Sequence, residues 1–188
     1  MSKVYQQFEQ TLAWHCAPSL AGIKAADLVF IMPQDKDWPK MLSHYVRVLG
    51  DRGIRLRVLG RYRQRLFLMI SRPEQLDSWL AQPPVSQMLA QLGYPVEKGT
   101  EAMLAHLRQR IQGEDFPHEI GLFLGYPPED VEGFLLNGGR NCKLVGPWKV
   151  YGDVEEATRR FDAFRRCRNA LSRRLAQGHS LAQVFPAA

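Results

Sequence analysis

The sequence predicts one α+β domain spanning residues 1–188, with a small, mostly antiparallel sheet of about four strands packed by helices. Three observations predict it. Strand-like runs are few, short and scattered among helical segments, with no regular strand–helix alternation, which argues against a doubly wound sheet. Two neighbouring runs, 54–59 and 66–70, are joined by a short polar loop, the mark of a hairpin. The 188 residues are 45% apolar and 23% charged, the balance of a globular domain whose core needs no disulfide or metal staple.

Each element has a local cause. Residues 4–14 form a helix with Val4, Phe8, Leu12 and Ala13 on one face. Pro18 suits the first position of a short second helix, which places Cys16 just before a helix N-terminus. Residues 28–32 are an apolar strand closed by Pro33, and 38–49 a helix ended by Gly50. Along 54–59, Ile54, Leu56 and Val58 alternate with Arg55, Arg57 and Leu59, as in a half-buried strand. The run 66–70 is continuously apolar and predicts the central strand. Residues 60–64 join the two as an Arg-rich loop holding Tyr62.

Residues 73–80, 85–92 and 101–111 are helices, the last turning Met103, Leu104 and Leu107 inward. The tetrapeptide Leu-Gly-Tyr-Pro occurs at 92–95 and 124–127. Gly supplies the left-handed residue after a helix, Tyr the following apolar contact, and Pro blocks continuation. Both copies therefore cap helices, the second one closing 119–124. Pro128 opens the next helix, with Glu129 and Asp130 in its favourable first turn, and Gly138-Gly139 closes it. Residues 143–145 and 148–151 form a strand, or a hairpin bent at Gly146-Pro147. Asp153 starts the last helix in capping-box fashion, with an apolar stripe from Val154 to Leu175 that Cys167 adjoins. Gly178 ends it, and a loosely held tail follows.

Charge narrows the partners. The formal net charge is +6, and arginines crowd two places: 52, 55, 57, 61, 63, 65 and 72 around the hairpin, and 159, 160, 165, 166, 168, 173 and 174 on the last helix. Such fields attract acidic partners. A nucleic-acid partner ranks last, because aromatics do not repeat along the strands as stacking platforms do. MSKVYQQFEQ has no signal-peptide pattern and no apolar run is long enough to span a bilayer, so no membrane association is expected. Three widely spaced cysteines fit a reducing cytoplasm.

The candidate chemistry centres on two dipeptides, His15-Cys16 and His118-Glu119. A helix N-terminus beside Cys16, with Lys24 folding back, would favour the thiolate. Cys16, His118 and Glu119 would then be a nucleophile, a base and its orienting group. Cys16 and His118 are equally candidate ligands for a metal or haem iron, with the cofactor left open between haem, iron and none. A buried structural Cys16, and a His118-Glu119 that merely caps the helix starting there, are the plain alternatives. Trp148 and Val150 share one strand face and Lys149 and Tyr151 the other, an edge able to stack a planar cofactor. His15, Lys24, Tyr126, Trp148, Lys149 and Tyr151 are the cofactor-binding candidates. No CxxC, HExxH, P-loop or GxGxxG occurs.

The runs HCAPSLAGIK, PHEIGLFLGYPPEDVEGF and GPWKVYGD resemble a bacterial family of unknown function, the domain of unknown function numbered thirty-seven ninety-three. The resemblance covers nearly the whole chain. Ser19 stands where the family pattern has Thr, which keeps a hydroxyl, and Pro147 where it has Tyr or a similar residue, which removes a donor. The resemblance implies an anaerobic bacterial setting near genes of iron uptake and flavodoxin-like proteins, and no particular activity. The leading expectation is a cytoplasmic accessory or binding protein that docks an acidic, flavodoxin-like redox partner through an Arg-rich face. A metal or haem site at Cys16 and His118 comes second, and a thiol enzyme using Cys16 third.

Overall fold

A computed structural model describes residues 3–32, 37–62, 65–113 and 115–187. Helix α1 (Lys3–Leu20) leads into strand β1 (Ala26–Ile31) and helix α2 (Trp38–Gly50). Strands β2 (Arg55–Tyr62) and β3 (Arg65–Ser71) follow as a hairpin. All pairings are antiparallel in the order β1-β3-β2, with β3 central. Then come α3 (Pro73–Leu80), α4 (Pro83–Gln91), a 3₁₀ turn (Val96–Lys98), α5 (Gly99–Ile111), α6 (Ile120–Phe123) and α7 (Pro128–Asn137). A second, two-stranded sheet pairs β4 (Leu144–Val145) with β5 (Lys149–Val150). Helices α8 (Val154–Ala176) and α9 (Leu181–Val184) close the chain. The fold is the expected α+β domain, and the run 143–151 is the hairpin alternative.

The three-stranded sheet is covered on both faces, which is why β3 reads as an unbroken apolar run. Its Leu68 and Ile70 join α1, α2, Leu171 of α8 and Leu181 of α9 in one core. Its Phe67 and Met69 join α3 to α7 in another. A third, smaller cluster holds Trp148, Val150, Ala157 and Phe164, where the β4–β5 hairpin lies on α8. Both Leu-Gly-Tyr-Pro caps form as expected: Gly93 and Gly125 have φ of 83° and 78°, and the next amides, Tyr94 N and Tyr126 N, donate to Leu89 O and Gly121 O. No helix among the described residues is long and apolar enough to cross a membrane.

Three local expectations are corrected. First, α1 does not stop near Trp14; it runs through Pro18. Pro18 removes only the bond to the carbonyl of Trp14, an exposed residue, while packing and an Asp27 Oδ2 that accepts from Ser19 N (3.1 Å) hold the final turn. Cys16 therefore lies inside a helix near its C-terminal end. Second, Gly60, Arg61 and Tyr62 belong to β2, with a bulge between Val58 and Gly60; Arg63 and Gln64 lie outside the described residues. Gly60 sits so close to α5 that a Cβ there would be 3.0 Å from Ile111 Cγ2. Third, the tail is not loose up to Phe185. Leu181 is fully buried, its amide donates to the buried Glu9 Oε1 (3.2 Å), and Arg52 Nε donates to Ala182 O (3.1 Å).

Candidate functional site

The stretches that carry the sequence motifs meet at one place. Asp130, in the first turn of α7, is only 3% exposed. Its Oδ2 accepts from Trp148 Nε1 (2.6 Å), and its Oδ1 from the amides of Tyr151 (2.7 Å) and Gly152 (2.8 Å). One carboxylate thus pins both the ring and the backbone of the β4–β5 hairpin. Trp148 stacks on Tyr126 (centroids 4.8 Å apart, 25°), meets Phe161 edge-on (4.5 Å) and lies 5.1 Å from Arg160 Cζ. Arg160 in turn donates to Gly125 O (2.7 Å). Beneath them Lys24 and Asp27 form a buried ion pair, with Lys24 Nζ 5.2 Å from the Tyr126 ring and 5.8 Å from the Phe164 ring.

Beside this knot opens an apolar cleft of about 440 Å³, a size ordinary for ligand pockets. Leu28 and Phe30 of β1 form one wall, Phe116 and His118 a second, Val131 and Phe134 of α7 a third, and the hairpin residues 145–149 the fourth. Phe30 is 49% exposed and Phe116 39%; each meets the core ring of Phe67 edge-on (4.8 and 5.9 Å) and leaves part of its surface open. His118 lies 4.9 Å from Phe134 and 5.6 Å from Phe116, ring to ring. Lys149 Nζ donates to Gly139 O (2.5 Å) and stands 5.9 Å from the Phe134 centroid.

A family model described as protein of unknown function (DUF3793) matches residues 12–185. The chain belongs to this family. Searches of curated proteins and of solved structures each found no match. For this DUF3793 member, chemistry must therefore be read from side-chain placement.

Of the residues singled out in the sequence, His118, Tyr126, Trp148 and Lys149 line the cleft. Trp148 is 6% exposed and enclosed by Tyr126, Phe161 and Arg160, so the open rings are Phe30 and Phe116. Tyr151 braces α7: its hydroxyl donates to Arg140 O (2.8 Å), and its ring lies so near Gly133 that a Cβ there would be 2.4 Å from Tyr151 Cγ. Glu119 does not cap α6. It is buried, taking Arg110 Nε (2.5 Å) and the Tyr94 hydroxyl (2.9 Å) on Oε1. Burial, then the charge of Glu119, pushes the Tyr94 hydroxyl pKa up.

The structure does not bring Cys16 to His118. Cys16 is fully buried in the core under α1, whereas His118 is exposed at the cleft, before α6 on the other side of the sheet. Burial, then Asp27, pushes the Cys16 thiol well above its ordinary pKa despite Lys24, which keeps it protonated. Cys167 Sγ donates to Ala17 O (3.3 Å) at the edge of the same core. His15 is exposed on α1. Among the described residues no cluster of three or more His, Cys, Asp or Glu could hold a metal ion.

The arginine groups divide by role. Arg72 donates to Leu20 O through Nε (3.0 Å) and Nη2 (2.8 Å), Arg52 to Val48 O (2.5 Å), and Arg57 forms a fork with Glu101 (2.6 Å for both bonds). Arg168 Cζ lies 5.2 Å from the Trp14 ring. Several of these charges tie the fold together instead of forming one docking face. Arg159, Arg166 and Arg173 are exposed and seven residues apart along α8. Sequence reasoning did not single out Asp130, Phe30, Phe116 or Phe134 as site residues. The unbroken apolar run 28–32 hides which face Phe30 takes, and nothing local marks Asp130 as the partner of a Trp 18 residues on.

Proposed function

We propose that the protein is a cytoplasmic binding protein whose cleft takes a flat, apolar ligand. The observation that carries this reading is the 440 Å³ cleft with the open rings of Phe30 and Phe116 at its walls. Its walls come from four separate elements braced by Asp130 and the Tyr126–Trp148 stack, so the cavity is pre-formed and binding orders little. N-phenyl-1-naphthylamine, a neutral apolar fluorophore, is the direct test. One saturable site is expected, weakened about tenfold in Phe30→Ala or Phe116→Ala, each removing an aromatic contact worth roughly 1.4 kcal/mol, with binding read below the lowered melting temperature that the lost contact with Phe67 brings. The reading fails if the probe shows no saturable site, or if both variants bind it as the parent does.

A second reading rests on a different observation. Arg159, Arg166 and Arg173 line one outer stripe of α8, at intervals of about 10 Å. Such a stripe suits an acidic protein partner, of which a flavodoxin-like redox protein is the example drawn from the family resemblance. Binding of a purified acidic flavodoxin should weaken about tenfold in the double variant Arg166→Glu/Arg173→Glu, and again when ionic strength rises from about 0.05 to 0.3 M. A complex indifferent to both changes overturns it.

A further inference from the structure

The cleft carries a chemical signature beyond its apolar walls. Three ionisable side chains other than Tyr126 line it: Asp130, His118 and Lys149. Asp130 is turned away from any ligand, because its two oxygens already accept three donors at 2.6–2.8 Å. His118 and Lys149 are differently placed. Among the described residues, neither ring nitrogen of His118 has a hydrogen-bond partner, and its ring lies beside those of Phe116 and Phe134. Lys149 Nζ donates to Gly139 O, which leaves it two further N–H groups. Both groups converge on one ring, Phe134, at 4.9 Å for the imidazole and 5.9 Å for the ammonium. The neighbouring charges are already neutralised in pairs, Lys24 with Asp27 and Arg110 with Glu119.

An apolar cavity with one cation and one imidazole, each beside the Phe134 ring, complements a single negative charge on an apolar body. A phosphate would call for more: an arginine fork, several convergent amides or a second cation. Arg160, the nearest arginine of the knot, is spent on Gly125 O and the Trp148 ring. We propose that the cleft takes an apolar monocarboxylate, its hydrocarbon body among Phe30, Phe116 and Phe134 and its carboxylate between Lys149 Nζ and His118. This inference rests on the reading of the cleft as a ligand site and names the class of ligand.

The test is calorimetric titration with 2-naphthoate, its neutral isostere 2-naphthamide, and 2-naphthyl phosphate. The parent protein should bind the carboxylate at least about tenfold more tightly than the amide, the margin of one charge-assisted hydrogen bond. Lys149→Gln should erase that preference while amide affinity stays unchanged, and His118→Gln should reduce it. Lys149→Arg, which keeps the charge, should retain it, which guards against a variant that fails only through loss of the Gly139 contact. Equal binding of acid and amide would overturn the carboxylate assignment and leave the cleft reading standing. Tighter binding of the phosphate would overturn it in favour of a dianion. A preference that survives in both Gln variants would overturn the assignment to Lys149 and His118. If none of the three compounds binds, the cleft reading falls as well.

Discussion

Asp130→Ala should lower stability by about 3–5 kcal/mol, since the buried indole N–H left without a partner costs about 1–3 kcal/mol and the two half-buried amides each lose a hydrogen bond worth about 1 kcal/mol. The donors are Trp148 Nε1 and the amides of Tyr151 and Gly152. For a domain of this size each kcal/mol moves the melting temperature by about 2–4 °C, so a fall of about 10 °C is expected. Asp130→Asn is the graded control. Its one oxygen can still serve both amides, but its NH₂ then faces the indole N–H, and the loss should be about 1–3 kcal/mol. Scanning calorimetry, with tryptophan emission following the exposure of Trp148, reads both variants. An Asp130→Ala protein that melts within about 2 °C of the parent would show that the hairpin is held by its apolar contacts instead. The hairpin is also one wall of the cleft, so the destabilised variant should lose the neutral probe as well.

Breaking the Lys24–Asp27 pair from one side should be equally damaging. Both side chains are nearly excluded from water, at 6% and 7% exposure. Asp27→Ala strands an ammonium against the Tyr126 and Phe164 rings and removes the acceptor of Ser19 N, the bond that holds the last turn of α1. Removing one partner of a buried ion pair costs about 3–5 kcal/mol, whereas replacing both by apolar groups of similar volume is often close to neutral. Lys24→Met and Asp27→Leu should therefore each destabilise strongly alone and by clearly less than their sum together, the lost bond to Ser19 N remaining in the double variant. Urea unfolding of the four proteins of the cycle gives the coupling energy, expected to exceed about 2 kcal/mol. Additive losses would mean that the two charges act independently and that the pair is incidental to the knot.

Neither the Asp130 latch nor the Lys24–Asp27 pair was legible in the sequence, but several elements were. Helix α3 was expected at its observed limits, Pro73–Leu80, because Pro marks its start and its apolar spacing sets its length. The central place of β3 followed from its unbroken apolar run, and the caps at Gly93 and Gly125 from a left-handed turn that glycine favours. Of the site, His118, Tyr126, Trp148 and Lys149 were singled out for separate roles, and all four line one cleft, because the chain itself brings 118 to 149 within a short helix, a capped turn and a hairpin.

What failed was long-range. Pro18 marks a boundary by its own chemistry, but α1 ignores it because Asp27 and the core secure the turn beyond. Nothing near Glu9 announces that it receives the amide of Leu181, 172 residues away. Arg52 and Arg72 look like surface charge until their carbonyl partners are in view. The sequence by itself determined the α+β class, most element limits and the helix caps, because these follow from backbone preferences and side-chain periodicity within a few residues. Only the tertiary structure decided that Cys16 is sealed away from His118, that Asp130 latches the hairpin, and that an aromatic cleft is left open beside it. Burial, hydrogen-bond partnership and cavity shape are set by groups distant along the chain, and local composition carries no record of them.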